Sequence, residues 1–163
     1  NAPLRSGKGS LYEGGIRVPL MVRWPGVTHA GAECRQPVIL MDLYHTLATT
    51  LSGEESKEPT DGIDLKPLLH NPDTEINRNS LYFHYPHYYA TTTPVRAIRS
   101  GDWKLLEYLE DGRRELYHLK DDPGEQTDLA AQMPDKTASL LQQLHHWRTQ
   151  VGAAMPTANP AFK

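Results

Sequence analysis

The sequence predicts an α+β fold, in which a C-terminal helix packs on a small antiparallel sheet and an N-terminal strand and helix precede them. The sheet is indicated by strand-like segments at 95–99, 103–108 and 114–119, separated by Gly101-Asp102 and Asp111-Gly112. Asp-Gly between two such segments is a strong hairpin signal. A stripe of apolar residues at helical spacing after Pro134 predicts the packed helix.

The N-terminal elements begin after a glycine-rich loop, residues 1–15. The apolar run at 16–24 predicts a buried strand, and Pro19 inside it indicates an edge or a kink. A helix is predicted at 38–51, with Ser52-Gly53 as its stop. Its apolar positions at helical spacing are Leu40, Leu43, Tyr44, Leu47 and Leu51.

The remaining elements complete the sheet and its cover. Residues 81–84 form a further predicted strand, followed by a loop of aromatic and hydroxyl side chains that ends in three threonines. The last helix is predicted at 134–151, because Pro suits a first helical position and Gly152 ends the pattern. We expect Trp103 and Trp147 to join this helix to the sheet.

The overall composition excludes some function classes. The chain has 163 residues and a formal net charge of −3, which does not suggest a nucleic-acid binder or a membrane-surface protein. No apolar run of about 18 residues is present, so no bilayer crossing is predicted. Cys34 is the single cysteine, so no disulfide forms within the chain. Residues 1–24 hold four basic side chains against Glu13 alone, which favours an anionic ligand at that end.

Lys8 lies among the glycines of the first loop, and two interpretations apply to it. It is a solvated surface lysine, or the flexible backbone brings its ammonium to an anion. A nucleotide-binding P-loop is excluded, because Lys8 is followed by Gly9 rather than by Ser or Thr.

A resemblance to a known family begins at this segment, Pro3-Leu4-Arg5-Ser6-Gly7-Lys8-Gly9-Ser10-Leu11-Tyr12-Glu13-Gly14-Gly15-Ile16-Arg17-Val18-Pro19. The segments that continue it, in order, are 24–26, 41–47, 61–65, 97–105 and 115–125. Together they cover nearly the whole chain, and the chain resembles the C-terminal part of the sulfatase family.

The resemblance implies an alkaline-phosphatase-like α/β fold for a longer parent protein, which hydrolyses sulfate esters with a formylglycine beside a bound calcium ion. Residues 1–53 would be the end of its catalytic domain, with the predicted strand and helix in the larger fold, and residues 54–163 its C-terminal subdomain. The lysine that matches Lys8 contacts the substrate sulfate in that family. An ammonium near sulfuryl oxygens can offset their charge and that of the leaving oxygen.

The chain departs from the family pattern where the nucleophile and the metal ligands are expected. Cys34 is followed by Arg35, Gln36 and Pro37, so proline falls one place late for the formylglycine motif. The family's Asp-Asn pair does not occur, and no acidic cluster suggests a calcium site. We therefore expect no metal or cofactor in this chain and no hydrolysis by the chain alone, with calcium and formylglycine supplied by the preceding portion.

His84 and His87 lie in the run Phe83-His84-Tyr85-Pro86-His87-Tyr88-Tyr89. They are structural histidines packed at the sheet, metal ligands completed from elsewhere, or substrate-binding residues. Similar loops occur in sulfatases that act on carbohydrates, so a sulfated sugar is the expected ligand in the last case. A histidine there could also assist a leaving group.

Three functions follow from these observations. The chain is the C-terminal part of a sulfatase, a non-catalytic module that binds sulfated glycans, or part of a phosphate or phosphonate ester hydrolase of the same superfamily. The expected partners are a sulfate-ester substrate and the N-terminal catalytic portion of the parent, with self-association of the isolated chain. For the parent, a periplasmic or secreted location is the expectation. Glu13 and Arg17 are expected to form a structural ion pair, and His145 and His146 to be solvated.

Overall fold

The computed structural model describes residues 1–53, 60–157 and 159–161. Its elements, in chain order, are α1 (Glu13–Ile16), α2 (Leu40–Ser52), α3 (Lys66–His70), β1 (Ser80–Tyr85), β2 (Val95–Ser100), β3 (Trp103–Tyr108), β4 (Arg114–His118) and α4 (Pro134–Gln150). They fall into two compact units, one formed by Asn1–Pro19 with Arg78–Lys163 and the other by Leu20–Asn77.

The first unit contains a four-stranded antiparallel sheet with the strand order β1-β2-β3-β4. Ser100 pairs with Trp103 across the turn at Gly101-Asp102, as the hairpin signal predicts. Gly101 and Gly112 have φ of 58° and 72°, a conformation that glycine adopts without steric cost. The predicted α+β class, the sheet and the final helix are confirmed.

Side chains alternate between the two faces of this sheet, and both faces are covered. On one face Ile98, Leu105 and Leu116 pack against Leu140 and Leu144 of α4. Trp103 and Trp147 border this cluster, and the Trp147 ring stacks on Tyr82 with centroids 4.9 Å apart. The two tryptophans therefore join helix and sheet as predicted.

The other face is covered by the N-terminal segment rather than by a long helix. Val95, Ala97, Leu106 and Tyr117 form a buried cluster with Leu11 there. Tyr12 and Ile16 pack against the same cluster. The residues that follow Lys8 are thus part of the core of this unit.

The second unit is built around the polar side of α2. The Asp42 carboxylate accepts the N–H groups of Ile39 at 2.8 Å and Ile63 at 3.1 Å. The Thr46 hydroxyl accepts the Leu65 N–H at 2.8 Å. Two separate segments of the family resemblance, 41–47 and 61–65, therefore meet through buried hydrogen bonds. Gly53, with φ of 70°, ends α2 at the predicted position.

The predicted strand at 16–24 is not formed. Ile16 ends the short helix α1, and residues 17–24 have no regular secondary structure. A strand needs a neighbour to pair its backbone groups, and the four strands of the described sheet pair only with one another. Pro19 also removes one donor from the segment. The apolar side chains that suggested burial are exposed, Met21 to 91%.

The predicted division into 1–53 and 54–163 concerns a longer parent and stays a prediction, and residues 54–59 lie outside the described residues. None of the helices in the described part of the chain combines the length and the apolar composition that a bilayer crossing requires.

Candidate functional site

The Lys8 segment, defined here as residues 4–17, holds Lys8 in a tight turn with its side chain exposed. The backbone N–H and the hydroxyl of Ser10 donate to the Gly7 carbonyl at 3.2 Å and 3.1 Å. The turn is therefore closed on both sides of Lys8, while the ammonium is accessible to a ligand.

A second loop fixes the backbone at Lys8. We call residues 86–94, between β1 and β2, the aromatic loop. The Thr91 hydroxyl donates to the Lys8 carbonyl at 3.1 Å. Gly9 has φ of 87°, and a methyl group added there would overlap the Tyr89 ring. The absence of a side chain at Gly9 thus allows the two loops to pack closely together.

The start of the Lys8 segment is fastened to the sheet by Arg5. Its guanidinium donates to the Tyr117 hydroxyl and to the Glu125 carbonyl, both at 2.8 Å. The same group lies 4.0 Å from the centre of the Tyr12 ring, a favourable cation–π distance. Arg5 therefore links the segment to β4 and to the loop that follows it.

Tyr12 fastens the middle of the segment through hydroxyl groups. Its hydroxyl donates to Glu115 at 2.6 Å, and the Tyr117 hydroxyl donates to the same carboxylate oxygen at 2.9 Å. Burial and then the hydrogen bond to Glu115 raise the pKa of Tyr12 well above its ordinary value. Burial and the same carboxylate also raise the pKa of Tyr117. Both hydroxyls therefore stay protonated and act as donors.

The structure places the two predicted histidines differently. His84 is in β1 and shares its face with Tyr82, the face that α4 covers, and its Nε2 lies 2.7 Å from the Ala154 carbonyl. His87 is in the aromatic loop, exposed, with its ring edge-on to Tyr85 at 5.4 Å between centroids. Only His87 belongs to the loop that contacts Lys8 and Gly9. A substrate-binding role stays a prediction for both.

The side chains in the described residues do not fit the calcium and formylglycine that the resemblance implies for a parent. Within residues 1–53, 60–157 and 159–161, no three His, Cys, Asp or Glu side chains are grouped so that they could hold a metal ion. Cys34 is an exposed free thiol in a loop. Lys8 is therefore the candidate functional residue of this chain.

Side chains of β2 and α4 meet at one carboxylate of β3. Arg96 is buried and donates from Nε to Glu107 at 2.6 Å. His145, which we expected to be solvated, lies with Nε2 at 3.0 Å from the same Glu107 oxygen. The prediction for His145 is wrong, because α4 packs on the sheet face that carries Glu107.

The residues that fix Lys8 were not found by sequence reasoning. Tyr89, Thr91, Arg5 and Tyr117 each act through contacts between distant parts of the chain, and none belongs to a local pattern that indicates such a role. The one available signal was the glycine next to Lys8, since a glycine often marks a close approach of backbone to another group.

Comparisons with known proteins identify the family. Residues 7–151 match the family described as N-sulphoglucosamine sulphohydrolase, C-terminal. A protein named Sulfatase from Formosa agariphila is 35% identical over 148 residues, which cover 83% of this chain and 27% of that protein.

Two solved structures have the same architecture. Ps i-CgsB in complex with k-i-k-neocarrahexaose is similar with a TM-score of 0.71 and 29% identity, over 90% of this chain and 32% of that one. BT4656 in complex with its substrate D-glucosamine-2-N,6-O-disulfate has a TM-score of 0.55 and 30% identity, over 67% of this chain and 23% of that one. The chain thus spans between 23% and 32% of the length of these relatives. It belongs to the sulfatase family and corresponds to the C-terminal portion of its members.

Proposed function

We propose that this chain supplies Lys8 as a sulfate-binding residue to a sulfatase that hydrolyses sulfate esters of carbohydrates. The observation that carries the proposal is an exposed ammonium on a backbone held from two sides, in a chain of the sulfatase family. The sulfated glucosamine described as the substrate of BT4656 supports a carbohydrate as the ester.

Lys8 would act by charge. A sulfate ester carries negative charge on its sulfuryl oxygens, and more negative charge develops on the leaving oxygen as the S–O bond breaks. A lysine ammonium offers donors that can contact either oxygen. Because Ser10 and Thr91 fix the backbone at Lys8, only the side chain and not the loop has to be ordered when the substrate binds.

The nucleophile would come from the preceding portion of a full-length protein, as the fraction of each relative that this chain spans suggests. We expect formylglycine and calcium in that portion. The apolar side of α2 is exposed, Leu51 to 86%, and this supports an interface between this chain and that portion.

The aromatic loop would line the substrate cleft. Tyr89 and Thr91 bring it against the Lys8 turn, and His87 lies in the same loop. We propose that His87 hydrogen-bonds the sugar near Lys8, and that His84 contributes less because its Nε2 already faces the Ala154 carbonyl. In a sulfatase assay, His87→Ala should raise KM more than His84→Ala does.

The test of Lys8 uses a full-length sulfatase that contains this chain, assayed on an aryl sulfate and on a sulfated glucosamine. Lys8→Ala should lower kcat/KM by more than about tenfold, equivalent to about 1.4 kcal/mol of lost transition-state stabilisation. Lys120→Ala, which removes an exposed lysine after β4, is the matched control and should leave the rate unchanged.

Two results would contradict the proposal. An unchanged rate for Lys8→Ala would make Lys8 an ordinary surface lysine. Sulfate release by the 163-residue chain alone, with or without added calcium, would show that the attacking group lies within it.

A further inference from the structure

A buried cluster of charged side chains lies beneath the Lys8 segment. Lys104 Nζ is 3.0 Å from Glu13 Oε1 and 2.9 Å from Glu125 Oε1. The Glu13 N–H donates to Glu125 Oε2 at 2.6 Å. Lys104 and Glu125 are 0% exposed and Glu13 is 1% exposed, so these contacts are shielded from water.

The three members come from three distant places in the chain. Glu13 begins α1, five positions after Lys8, Lys104 lies in β3, and Glu125 follows β4 with a left-handed φ of 51°. Each belongs to a different segment of the family resemblance, namely 3–19, 97–105 and 115–125. These three segments therefore meet at one buried point.

Stability alone is a weak reason for such a cluster. Burying a lysine between two carboxylates requires desolvation that the ion pairs only roughly offset, and apolar residues of similar volume often stabilise as well or better. A left-handed φ at a non-glycine residue adds strain at Glu125. What the cluster does provide is a fixed position for Glu13, since salt bridges and a backbone hydrogen bond all constrain it.

Glu13 is coupled to Lys8 through backbone that has no room to shift. The Gly14 N–H donates to the Arg5 carbonyl at 2.9 Å, and a methyl group added at Gly14 would overlap that carbonyl. A methyl group at Gly15 would overlap the Ser10 carbonyl. A displacement of α1 would therefore be passed to the turn that holds Lys8.

We propose that the Glu13–Lys104–Glu125 cluster sets the position of the Lys8 ammonium against the sulfate, so that Lys104 and Glu125 are positioning residues for Lys8. The inference rests on the proposed sulfate-binding role of Lys8. The Lys104 and Glu125 side chains are fully buried and cannot touch the substrate. They would therefore affect the reaction only through the position of Lys8.

The same sheet offers a matched control on its other face. Arg96 and Glu107 form a buried ion pair at 2.6 Å on the face that α4 covers, with His145 at 3.0 Å from Glu107. This pair lies in β2 and β3 and makes its contacts to α4 rather than to the Lys8 segment. Disrupting either cluster should therefore lower the stability of the sheet. Only disruption of the Glu13–Lys104–Glu125 cluster should displace Lys8.

The variants are Glu125→Gln and Glu107→Gln in a full-length sulfatase. A glutamine has one acceptor oxygen where the carboxylate has two, so Glu125→Gln removes either the Lys104 or the Glu13 contact. We expect Glu125→Gln to lower kcat/KM by about tenfold, and by less than about twofold when Lys8 is already alanine. Glu107→Gln should leave kcat/KM within about twofold in both backgrounds.

Hydrogen exchange provides a readout that does not depend on turnover. Glu125→Gln should accelerate amide exchange in residues 5–16 and leave β2 and β3 protected, while Glu107→Gln should not affect residues 5–16. Lys104→Met removes the cation that lies between Glu13 and Glu125 and leaves Glu13 with Arg99 at 3.5 Å and Arg17 at 3.8 Å. It should accelerate exchange in the same segment further.

The outcomes separate the two ideas. If Lys8→Ala leaves the rate unchanged, the proposed function fails. If Lys8→Ala is slow but Glu125→Gln lowers kcat/KM equally in both backgrounds, or if Glu107→Gln has the same effect as Glu125→Gln, only the positioning role is overturned.

Discussion

Helices α4 and α2 both carry apolar side chains at helical spacing, and they differ in which face is buried. In α4 the apolar face packs on the sheet, with Leu140 and Leu144 almost fully buried. In α2 the buried residues are Asp42 and Thr46, while Leu40 and Leu51 are exposed to 79% and 86%. Apolar periodicity therefore predicts that a helix forms, but the available neighbours decide which face is covered.

The difference has a physical basis. The polar side of α2 pairs the backbone of residues 63–65, because the N–H groups of Ile63 and Leu65 need acceptors and find Asp42 and Thr46. Its apolar side meets no comparable surface in the described residues, and a contiguous apolar stripe of this kind usually marks an interaction surface. The apolar face of α4 is thus covered within the chain, whereas we expect a partner to cover the exposed apolar face of α2.

The sharpest test compares a leucine on each helix. Leu144→Ala in α4 should lower the free energy of unfolding of the chain by about 3 kcal/mol, because it leaves a cavity in a fully buried cluster. Leu51→Ala in α2 should change it by less than about 0.5 kcal/mol. Urea unfolding measures both. Equal losses would show that the α2 stripe is covered in the isolated chain.

The next test concerns the polar side of α2. Thr46→Val keeps the side-chain volume but leaves the buried Leu65 N–H without its acceptor, so we expect a loss of about 2 kcal/mol. Thr50→Val is the matched control, since the Thr50 hydroxyl donates only to the carbonyl one turn earlier, at 2.7 Å. A similar effect of both variants in urea unfolding would argue against the anchoring role of Thr46.

The exposed stripe itself predicts self-association of the isolated chain. Replacing Leu47 and Leu51 together by serine should weaken association by about tenfold, which corresponds to about 1.4 kcal/mol. Sedimentation velocity over a range of concentrations measures this change. Val151→Ser, at the exposed end of α4, should have little effect. A wild-type chain that stays monomeric at all concentrations would rule out this use of the stripe.

The smallest expected effect is a pH dependence on the α4 side of the sheet. Burial alone would raise the pKa of Glu107, but the hydrogen bonds and charges of Arg96 and His145 outweigh it and lower that pKa. A carboxyl whose pKa is lower in the folded state stabilises the protein above its unfolded pKa, about 4.3, and loses this contribution as the pH falls. The stability advantage of wild type over Glu107→Gln should therefore shrink as the pH falls below about 4.

Urea unfolding at several pH values between about 3 and 7 measures this advantage. A difference between wild type and Glu107→Gln that stays constant across the range would mean that Glu107 gains nothing from Arg96 and His145.

Much of the fold follows from local pattern. The three hairpin-linked strands at 95–119 were predicted because turn residues and alternating side chains act over a few positions, and α4 because its stripe and its Pro134 start are local as well. The strand at 16–24 was predicted on the same grounds and is not formed in this chain. A strand depends on a partner strand, which a local pattern cannot guarantee.

The candidate site divides in the same way. Lys8 was singled out because its glycine-rich segment and the segments that follow it resemble the sulfatase family, and that family is confirmed. The contacts that hold Lys8 were not predicted. Thr91, Tyr89 and Tyr117 lie more than 75 positions away along the chain, and no spacing rule connects them to it.

The sequence by itself determined α2, α4, the meander, the candidate lysine and the family. Each of these depends on residues that are close together or on an ordered series of short segments. Only the tertiary structure decided that a lysine of β3 and a glutamate beyond β4 close on Glu13, and that α2 turns its polar side inward. Burial removes water from such groups, and a buried charge or N–H then takes whichever partner the folded chain brings within reach.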